Sequence, residues 1–165
     1  MSAAKKILFV CTGNSCRSVM AQGLLRHALE KKGYTDFQVL SAGVSTVGGL
    51  GATPETIEVM QQEGIDVSSH MSQPATPELI QSADVIFCME QFQRDLIAER
   101  IPESESKLFM LKTFKLEKQP PDPNIGDPIG RPLEVYESCL MTIKEAVGRV
   151  ERWLEKQAGS KTKDR

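Results

Sequence analysis

Hydrophobic residues along this chain follow two alternating patterns. Short apolar runs bounded by turn-forming residues are typical of buried strands, whereas apolar residues spaced three and four apart are typical of amphipathic helices. Runs of the first kind predict strands over residues 6–10, 37–40, 84–89 and 107–111. Segments of the second kind predict helices over residues 19–32, from 53 to a stop at Gly64, over 76–83 and 91–100, and from 133 onward.

Strands that alternate with helices favour parallel strands joined by right-handed crossovers. The expected fold class is therefore α/β, a small doubly wound sheet of four parallel strands with helices on both faces. A length of 165 residues fits one domain, predicted over residues 1–158. Residues 159–165 are polar and are expected to form a frayed tail. In such sheets a ligand binds beyond the carboxyl ends of the strands, where the strand order reverses.

Charge and cysteine content narrow the range of partners and cofactors. Twenty basic and twenty-two acidic residues leave a net charge of −2, which argues against a nucleic-acid partner. No apolar run reaches the roughly 18 residues of a transmembrane helix, and the run before Cys11 is too short for a signal peptide, so we expect no membrane partner and a cytoplasmic location. The four cysteines include no Cys-x-x-Cys pair, so no metal site is expected.

The chemistry is concentrated in residues 10–18, between the first strand and the first helix. A turn at this place aims backbone N–H groups and the positive end of the helix dipole at one point, which favours an anion. Gly13 and Asn14 best tolerate the left-handed backbone that curls such a loop, and Arg17 adds a planar donor pair for two phosphate oxygens. Such a field also favours the anionic form of a cysteine. Cys11 is therefore predicted to be a thiolate nucleophile rather than an inert buried thiol.

Three motifs occur in order along the chain: Val-Cys-Thr-Gly-Asn-Ser-Cys-Arg-Ser at residues 10–18, Ser-Ala-Gly at 41–43, and Asp-Pro ahead of the last helix. Together they resemble the low-molecular-weight protein tyrosine phosphatase family over nearly the whole chain. The resemblance implies a flavodoxin-like topology and a hydrolysis of phosphorylated protein through a phosphocysteine, without metal or cofactor. Cys11 would attack phosphorus while Arg17 and the loop amides hold the phosphoryl oxygens. The implied substrate-binding residues are Thr12, Gly13, Asn14, Ser15, Cys16 and Ser18.

The resemblance also implies a hydrogen-bond network that shapes the loop. Its members would be Asn14, Ser18, Ser41 and His70, with the Ser18 hydroxyl facing the thiolate. Taken as residues alone, Ser41 and His70 are explained equally well as a turn residue and an ordinary polar side chain. Cys16 likewise has two interpretations, a small buried residue or a resolving thiol that forms a reversible disulfide with oxidised Cys11, and the family precedent favours the second.

A general acid is needed because an alkoxide or phenolate leaves poorly unless it is protonated. The family places this acid in an Asp-Pro pair, and the chain offers two, Asp122-Pro123 and Asp127-Pro128. We choose Asp127 because its pair lies closer to the last helix. An Asp before Pro also serves simply to start a turn, so this role is available to either residue.

Substrate preference leaves several hypotheses open. Phosphotyrosine is the first, although family members that prefer it commonly carry bulky aliphatic residues in the loop, where this chain has Thr12 and Ser15. Phosphoarginine is the second, because the arginine-phosphatase branch of the family has Thr at the position of Ser15, and a small hydroxyl there accommodates a guanidinium better than Ile would. A thiol-linked arsenate reductase is third, because its chemistry needs a further closely spaced cysteine pair, whereas Cys88 and Cys139 lie far apart in this sequence. A non-catalytic phosphate-binding module comes last, because no residue of the loop is replaced by an inert one.

Overall fold

A parallel four-stranded sheet forms the centre of the fold. In the computed structural model, which describes residues 5–161, the strand order is β2-β1-β3-β4. The strands are β1 (Lys6–Cys11), β2 (Gln38–Gly43), β3 (Val85–Cys88) and β4 (Leu108–Met110). Because β1 is followed along the chain by β2 on one side and pairs with β3 on the other, the strand order reverses at the carboxyl end of β1. A binding site is expected at that end.

Within residues 5–161, five α-helices cover the two faces of the sheet. They are α1 (Arg17–Lys31), α2 (Pro54–Gln62), α3 (Pro77–Ser82), α4 (Gln91–Arg100) and α5 (Leu133–Lys161). Alternate residues of β1 point to opposite faces, so Ile7 and Phe9 join the core under α1, α2 and α5, whereas Leu8 and Val10 join the core under α3 and α4. The predicted α/β class with helices on both faces is confirmed.

Two helix starts follow directly from local sequence. Thr53 and Thr76 each precede a proline at the first helical position. The Thr53 hydroxyl accepts the N–H of Thr56 at 3.3 Å, and the Thr76 hydroxyl accepts the N–H of Leu79 at 3.2 Å. Each bond satisfies an N–H that has no partner inside the helix. The starts predicted for α2 and α3 are therefore confirmed.

Several predicted boundaries were wrong by one or two residues at functionally relevant places. Strand β1 extends through Cys11, and α1 begins at Arg17 rather than at residue 19. A short 3₁₀ helix over Pro102–Lys107 was missed, and it delays the start of β4 to Leu108. Arg17 is polar yet buried, so a pattern of apolar residues could not place it inside the helix.

The last helix is longer than predicted. Helix α5 continues to Lys161, past the end expected at residue 158. The rest of the predicted tail, residues 162–165, lies outside the described residues. None of the helices between residues 5 and 161 combines the length and the apolar character required to cross a bilayer.

Asp84 joins the beginnings of β1 and β3. Its Oδ2 accepts the backbone N–H groups of Lys5 at 2.9 Å and Lys6 at 2.8 Å. Burial by itself raises the pKa of this carboxyl, but the two N–H bonds and the positive charge of Lys107 outweigh that effect. The pKa of Asp84 therefore lies below its ordinary value of 3.8. Folding thus stabilises the ionised carboxylate.

Asp84→Ala is expected to lower the free energy of unfolding at pH 7 by about 1–2 kcal/mol, because two N–H groups lose a charged acceptor. A carboxyl with a depressed pKa stabilises the fold above that pKa, and this contribution is lost as the pH falls through the folded value. Urea unfolding at pH 7 and below about pH 4 measures both parts. Asp36→Ala is the control, since it removes only an exposed ion pair with Lys5. A pH-independent effect, or one no larger than the control, would contradict the prediction.

Candidate active site

The predicted catalytic loop lies at the carboxyl end of β1, at the reversal of strand order. Cys11 ends β1, residues 12–16 form the loop, and Arg17 begins α1. Asn14 has a φ of 54°, which is the left-handed backbone expected there. Gly13 does not share it, so the expectation of left-handed backbone at both residues was wrong for Gly13. The chain curls at Asn14 alone, which is one of the few residue types that tolerate this conformation.

The Cys11 thiol is buried and receives two polar contacts. Its Sγ lies 2.9 Å from Oγ of Ser18 and accepts the backbone N–H of Asn14 at 3.3 Å. The Ser18 oxygen itself accepts a hydrogen bond from Nδ2 of Asn14 at 2.8 Å, so the Ser18 proton is free to point at the sulfur. Both contacts place positive partial charge at Sγ. Two donor groups therefore converge on the Cys11 sulfur, as a sulfur that acts as an acceptor requires.

Asn14 is fully buried and organises the loop from within. Besides the bond to Ser18, its Nδ2 donates to Oγ of Ser41 at 2.9 Å, and its Oδ1 accepts the backbone N–H of Gln73 at 2.9 Å. Its carbonyl oxygen accepts from Nε2 of His70 at 2.8 Å. The structure thus brings together the four residues predicted to form the loop-supporting network.

His70 meets the loop as a neutral ring. Burial lowers its pKa and the nearby Arg26 charge adds to this, whereas the bond to Asn14 acts in the opposite direction with a smaller effect. Because the Asn14 carbonyl can only accept, Nε2 of His70 carries the proton of the neutral ring. Because Nε2 also donates in the imidazolium, the bond to Asn14 does not depend on the protonation of Nδ1.

Gly43 explains why the Ser-Ala-Gly turn ends in glycine. A Cβ at this position would lie 2.6 Å from the carbonyl oxygen of Thr12 and 3.1 Å from the backbone nitrogen of Asn14. The end of β2 therefore approaches the catalytic loop more closely than any side chain permits. The sequence motif indicated a turn, and the structure shows a site of backbone contact.

Arg17 is almost completely buried, with 1% exposure. Its Nη1 donates to the Glu90 carboxylate and to the carbonyl oxygen of Ile125, the latter at 2.7 Å. Its Nη2 lies 3.5 Å from Oδ2 of Asp127. A guanidinium held at one end by a carboxylate and a carbonyl has a fixed plane, which suits it to bind two oxygens of a tetrahedral anion.

Glu90 was not among the residues predicted for the site. It follows β3 at the carboxyl edge of the sheet, where its carboxylate forms an ion pair with Arg17. One signal was present in the sequence, because an acidic residue directly after a buried strand lies at the edge where ligands bind. Its pairing with Arg17 could not be predicted, because Arg17 lies in a distant part of the chain.

The structure separates the two candidate general acids. Asp127 lies beside Arg17, and its Oδ1 accepts the N–H of Ile129 at 3.1 Å. The Asp122 carboxylate instead accepts the N–H of Asn124 at 2.9 Å, as expected of a residue that starts a turn. Only Asp127 is thus placed next to a predicted catalytic residue, which supports the choice made from the sequence.

The thiol of Cys16, the last residue of the loop, lies among hydroxyl groups. Its Sγ is 3.5 Å from Oγ1 of Thr53 and 3.8 Å from the Tyr136 hydroxyl, and it also lies 3.7 Å from Oγ of Ser15. Burial raises the pKa of Tyr136 to about 12, so this hydroxyl stays protonated. Cys11 and Cys16 are both free thiols. The regulatory disulfide between them stays a prediction.

The other two cysteines lie in the core. Burial raises the pKa of Cys88 to about 12 and that of Cys139 to about 12. Thiols of this kind remain protonated at neutral pH and are poor nucleophiles. Their surroundings contrast with the polar contacts at Cys11.

A second loop, residues 44–52, forms one rim of the site. At its ends the N–H of Ser45 donates to the carbonyl of Thr12, and the N–H of Thr53 donates to the carbonyl of Ser15. The loop has no aromatic residue, and Val47 is its most exposed apolar side chain at 88%. This loop therefore offers only polar or aliphatic side chains.

Comparison with known proteins agrees with this geometry. The low molecular weight phosphotyrosine protein phosphatase family matches residues 6–160. A probable low molecular weight protein-tyrosine-phosphatase, EpsP, of Ralstonia nicotianae is 37% identical over 87% of this chain and 91% of its own length. A protein-arginine-phosphatase of Geobacillus stearothermophilus is 37% identical over 91% of this chain and 96% of its own. An arsenate reductase of Staphylococcus aureus is 40% identical over 87% and 93%.

Solved structures give the same assignment. The YwlE arginine phosphatase from Geobacillus stearothermophilus superposes with a TM-score of 0.82 and 36% identity, covering 93% of this chain and 94% of that chain. A YwlE arginine phosphatase variant with a phosphorylated active-site serine superposes with a TM-score of 0.84 and 31% identity, covering 92% and 96%. The family suggested by the three sequence motifs is confirmed, and this chain belongs to the low molecular weight phosphotyrosine protein phosphatase family.

Proposed function

We propose that this chain hydrolyses phosphorylated side chains of proteins through a covalent phosphocysteine at Cys11. One observation carries the proposal. The buried Cys11 sulfur receives the Asn14 N–H and faces the Ser18 hydroxyl, at the start of a loop whose far end holds the Arg17 guanidinium. A sulfur stabilised as an anion beside a fixed anion-binding group is the combination that attack on a phosphate ester requires.

In the first step the Cys11 thiolate attacks phosphorus, and a P–S bond forms as the bond to the leaving side chain breaks. Arg17 and the loop N–H groups bind the non-bridging oxygens, whose charge is redistributed in the transition state. Asp127 gives its proton to the leaving atom. Since Asp127 lies beside Arg17, the proton donor and the guanidinium that binds the phosphoryl oxygens act on one phosphoryl group.

In the second step water attacks the phosphocysteine. The Asp127 carboxylate takes a proton from this water, and orthophosphate leaves as the P–S bond breaks. The departing sulfur regains its negative charge next to the Ser18 hydroxyl, which stabilises it as a leaving group. The relative that carries a phosphorylated active-site serine supports a covalent route at the nucleophile position.

Phosphotyrosine is the first candidate substrate. The relative EpsP is named as a probable protein-tyrosine-phosphatase. Val47 in the 44–52 loop and Ile129, two residues after Asp127, are exposed aliphatic side chains and are the candidates to contact a phenyl ring. An aryl ring needs such surface, because burial of its apolar area contributes to binding.

Phosphoarginine is the second candidate, favoured by the composition of the loop itself. Ser15 and Thr12 are small hydroxyl residues, and both are partly exposed at the site. A guanidinium group carries several N–H donors, which a hydroxyl oxygen accepts and an aliphatic side chain does not. The relative named as a protein-arginine-phosphatase covers nearly the whole chain.

Position 15 sets the ratio of the two activities. Ser15→Ile is expected to raise the ratio of kcat/KM for a phosphotyrosine peptide to that for the matched phosphoarginine peptide by about tenfold, because it replaces a polar contact with apolar surface. Both peptides share one flanking sequence, and Ser69→Ile serves as an exposed control in a segment outside the loop. A wild-type chain that hydrolyses neither peptide contradicts the proposed function. An unchanged ratio in Ser15→Ile contradicts the role of Ser15 alone.

Arsenate reduction is less well supported by the site, although one relative is named as an arsenate reductase. A thiol relay needs further cysteines that ionise, and the pKa of Cys88 and that of Cys139 are both raised to about 12 by burial.

A further inference from the structure

Gln93 lies in α4, outside the catalytic loop, and is completely buried. Its Oε1 accepts two backbone N–H groups, from Met89 at 3.0 Å and from Glu90 at 2.9 Å. Its Nε2 donates to Oγ1 of Thr12 at 3.0 Å. One side chain thus connects the turn after β3 to the loop after β1, with both ends of its amide in use.

The turn held by Gln93 carries the carboxylate that binds Arg17. Glu90 is fixed through its own N–H, and its side chain forms the ion pair with the guanidinium. A shift of this turn would move Glu90, and Arg17 would lose the partner that fixes its plane. The amide of Gln93 therefore affects the orientation of the Arg17 guanidinium, through Glu90.

At the other end, Gln93 determines what the Thr12 hydroxyl can do. A hydroxyl has a single proton, and here its oxygen accepts from Nε2 of Gln93. The Thr12 proton is therefore available to a second partner that accepts. The carbonyl of Thr12 is held as well, by the N–H of Ser45 at 2.9 Å. The Thr12 hydroxyl is therefore already oriented to donate to an acceptor that binds in the loop.

We propose that Gln93 is a positioning residue of the site. It directs the Thr12 hydroxyl to donate to a phosphoryl oxygen, and it holds Glu90 where it orients Arg17. This inference rests on the proposed function, because it takes the bound anion to be a phosphoryl group. Gln93 touches no reacting atom, so its effect on activity passes entirely through these neighbours.

The test compares Thr12→Val with Thr12→Ser, each with Gln93 present and with Gln93→Leu. With Gln93 present, Thr12→Ser should keep kcat/KM for an aryl phosphate within about twofold, and Thr12→Val should lose about tenfold because the donor is gone. Gln93→Leu alone should lose at least about tenfold. In the Gln93→Leu background the two Thr12 variants should become equal, since the hydroxyl is no longer oriented. If Gln93→Leu fails to fold, Gln93→Glu keeps both accepted N–H bonds and replaces the donor to Thr12 by a charged acceptor. That acceptor takes up the hydrogen bond of the Thr12 proton, so Gln93→Glu should lose at least as much kcat/KM.

Ser104→Ala is the matched control for loss of a buried hydrogen bond. Ser104 is 1% exposed and donates to the carbonyl of Ile101 at 2.6 Å, away from the catalytic loop. It should lower thermal stability as Gln93→Leu does but leave kcat/KM unchanged. Full activity of Gln93→Leu, or losses from Gln93→Leu and Thr12→Val that simply multiply, would overturn the proposal.

Binding of orthophosphate provides a readout that does not need turnover. Orthophosphate should protect Cys11 from alkylation by iodoacetate, and Gln93→Leu should raise the half-protecting concentration by about tenfold. If the wild type hydrolyses no phosphorylated peptide but this shift is seen, the proposed function fails and the role of Gln93 is retained. If the wild type is active and neither the shift nor the loss of kcat/KM is seen, the inference fails and the function is retained.

Discussion

Cys11→Ser is expected to lower kcat for a small aryl phosphate by at least about 10⁴-fold, without any added metal in either assay. A serine hydroxyl at this position is not ionised at neutral pH, and the side chain that contacts it, Ser18, is a donor rather than a base. The neighbouring Ser18 oxygen already accepts from Asn14 and offers its proton to position 11. The geometry that stabilises a thiolate therefore activates an alcohol far less, so turnover falls even where the serine itself can be phosphorylated, as it is in the variant relative.

The same variant should leave the anion-binding part of the site intact. Arg17 keeps Glu90 and Ile125 as partners, so orthophosphate should bind to Cys11→Ser about as tightly as to the wild type. Calorimetry with orthophosphate measures this, and turnover of the aryl phosphate measures the loss of kcat. Cys88→Ser is the control, because Cys88 is a buried core thiol that should affect stability rather than chemistry. Retained turnover in Cys11→Ser would end the phosphocysteine mechanism.

Alkylation gives a second measure of the same sulfur. Iodoacetate should modify Cys11 in the wild type ahead of Cys88 and Cys139. Burial raises the pKa of each of these two core thiols to about 12. Orthophosphate should slow only the modification of Cys11. Sluggish alkylation that orthophosphate does not affect would contradict a thiolate at this position.

Much of the fold was predictable because its signals are local. The apolar run that becomes β1 is buried on both faces, and Thr-Pro pairs mark the starts of α2 and α3. Cys11 and Arg17 were found from their spacing at a strand–helix junction. These signals need only a few consecutive residues, so long-range contacts were not required to interpret them.

What the sequence did not yield depends on distant segments meeting. Glu90 and Gln93 lie more than seventy positions from the catalytic loop. The place of Glu90 after a buried strand was its one local signal, and Gln93 has the character of an ordinary helix-start residue. Gly43 is required because β2 passes within reach of the Thr12 carbonyl, which is a property of the sheet rather than of the turn. The polar 3₁₀ helix over Pro102–Lys107 lacks an apolar period and was missed for that reason.

Asp127→Asn is expected to lower kcat by about 10²–10⁴-fold for a phosphate ester of a poor leaving group. The asparagine amide fits beside Arg17 but has no proton to transfer, so the departing oxygen must leave as an anion. Asp122→Asn should retain nearly full activity, because the Asp122 carboxylate serves a turn bond to Asn124 that an amide oxygen also accepts. The two variants carry the same substitution in different Asp-Pro pairs, so each is a control for the other.

The dependence on the leaving group separates proton transfer from a structural effect of Asp127. A strongly acidic phenol leaves its phosphate ester readily without a proton. Asp127→Asn should therefore lose far less kcat/KM with such an ester than with phenyl phosphate. A plot of log kcat/KM against leaving-group acidity should therefore be steeper for Asp127→Asn than for the wild type. A parallel loss across the series would mean that Asp127 acts by orienting Arg17, to which its Oδ2 lies within 3.5 Å. A loss confined to Asp122→Asn would instead assign the proton donor to the other Asp-Pro pair.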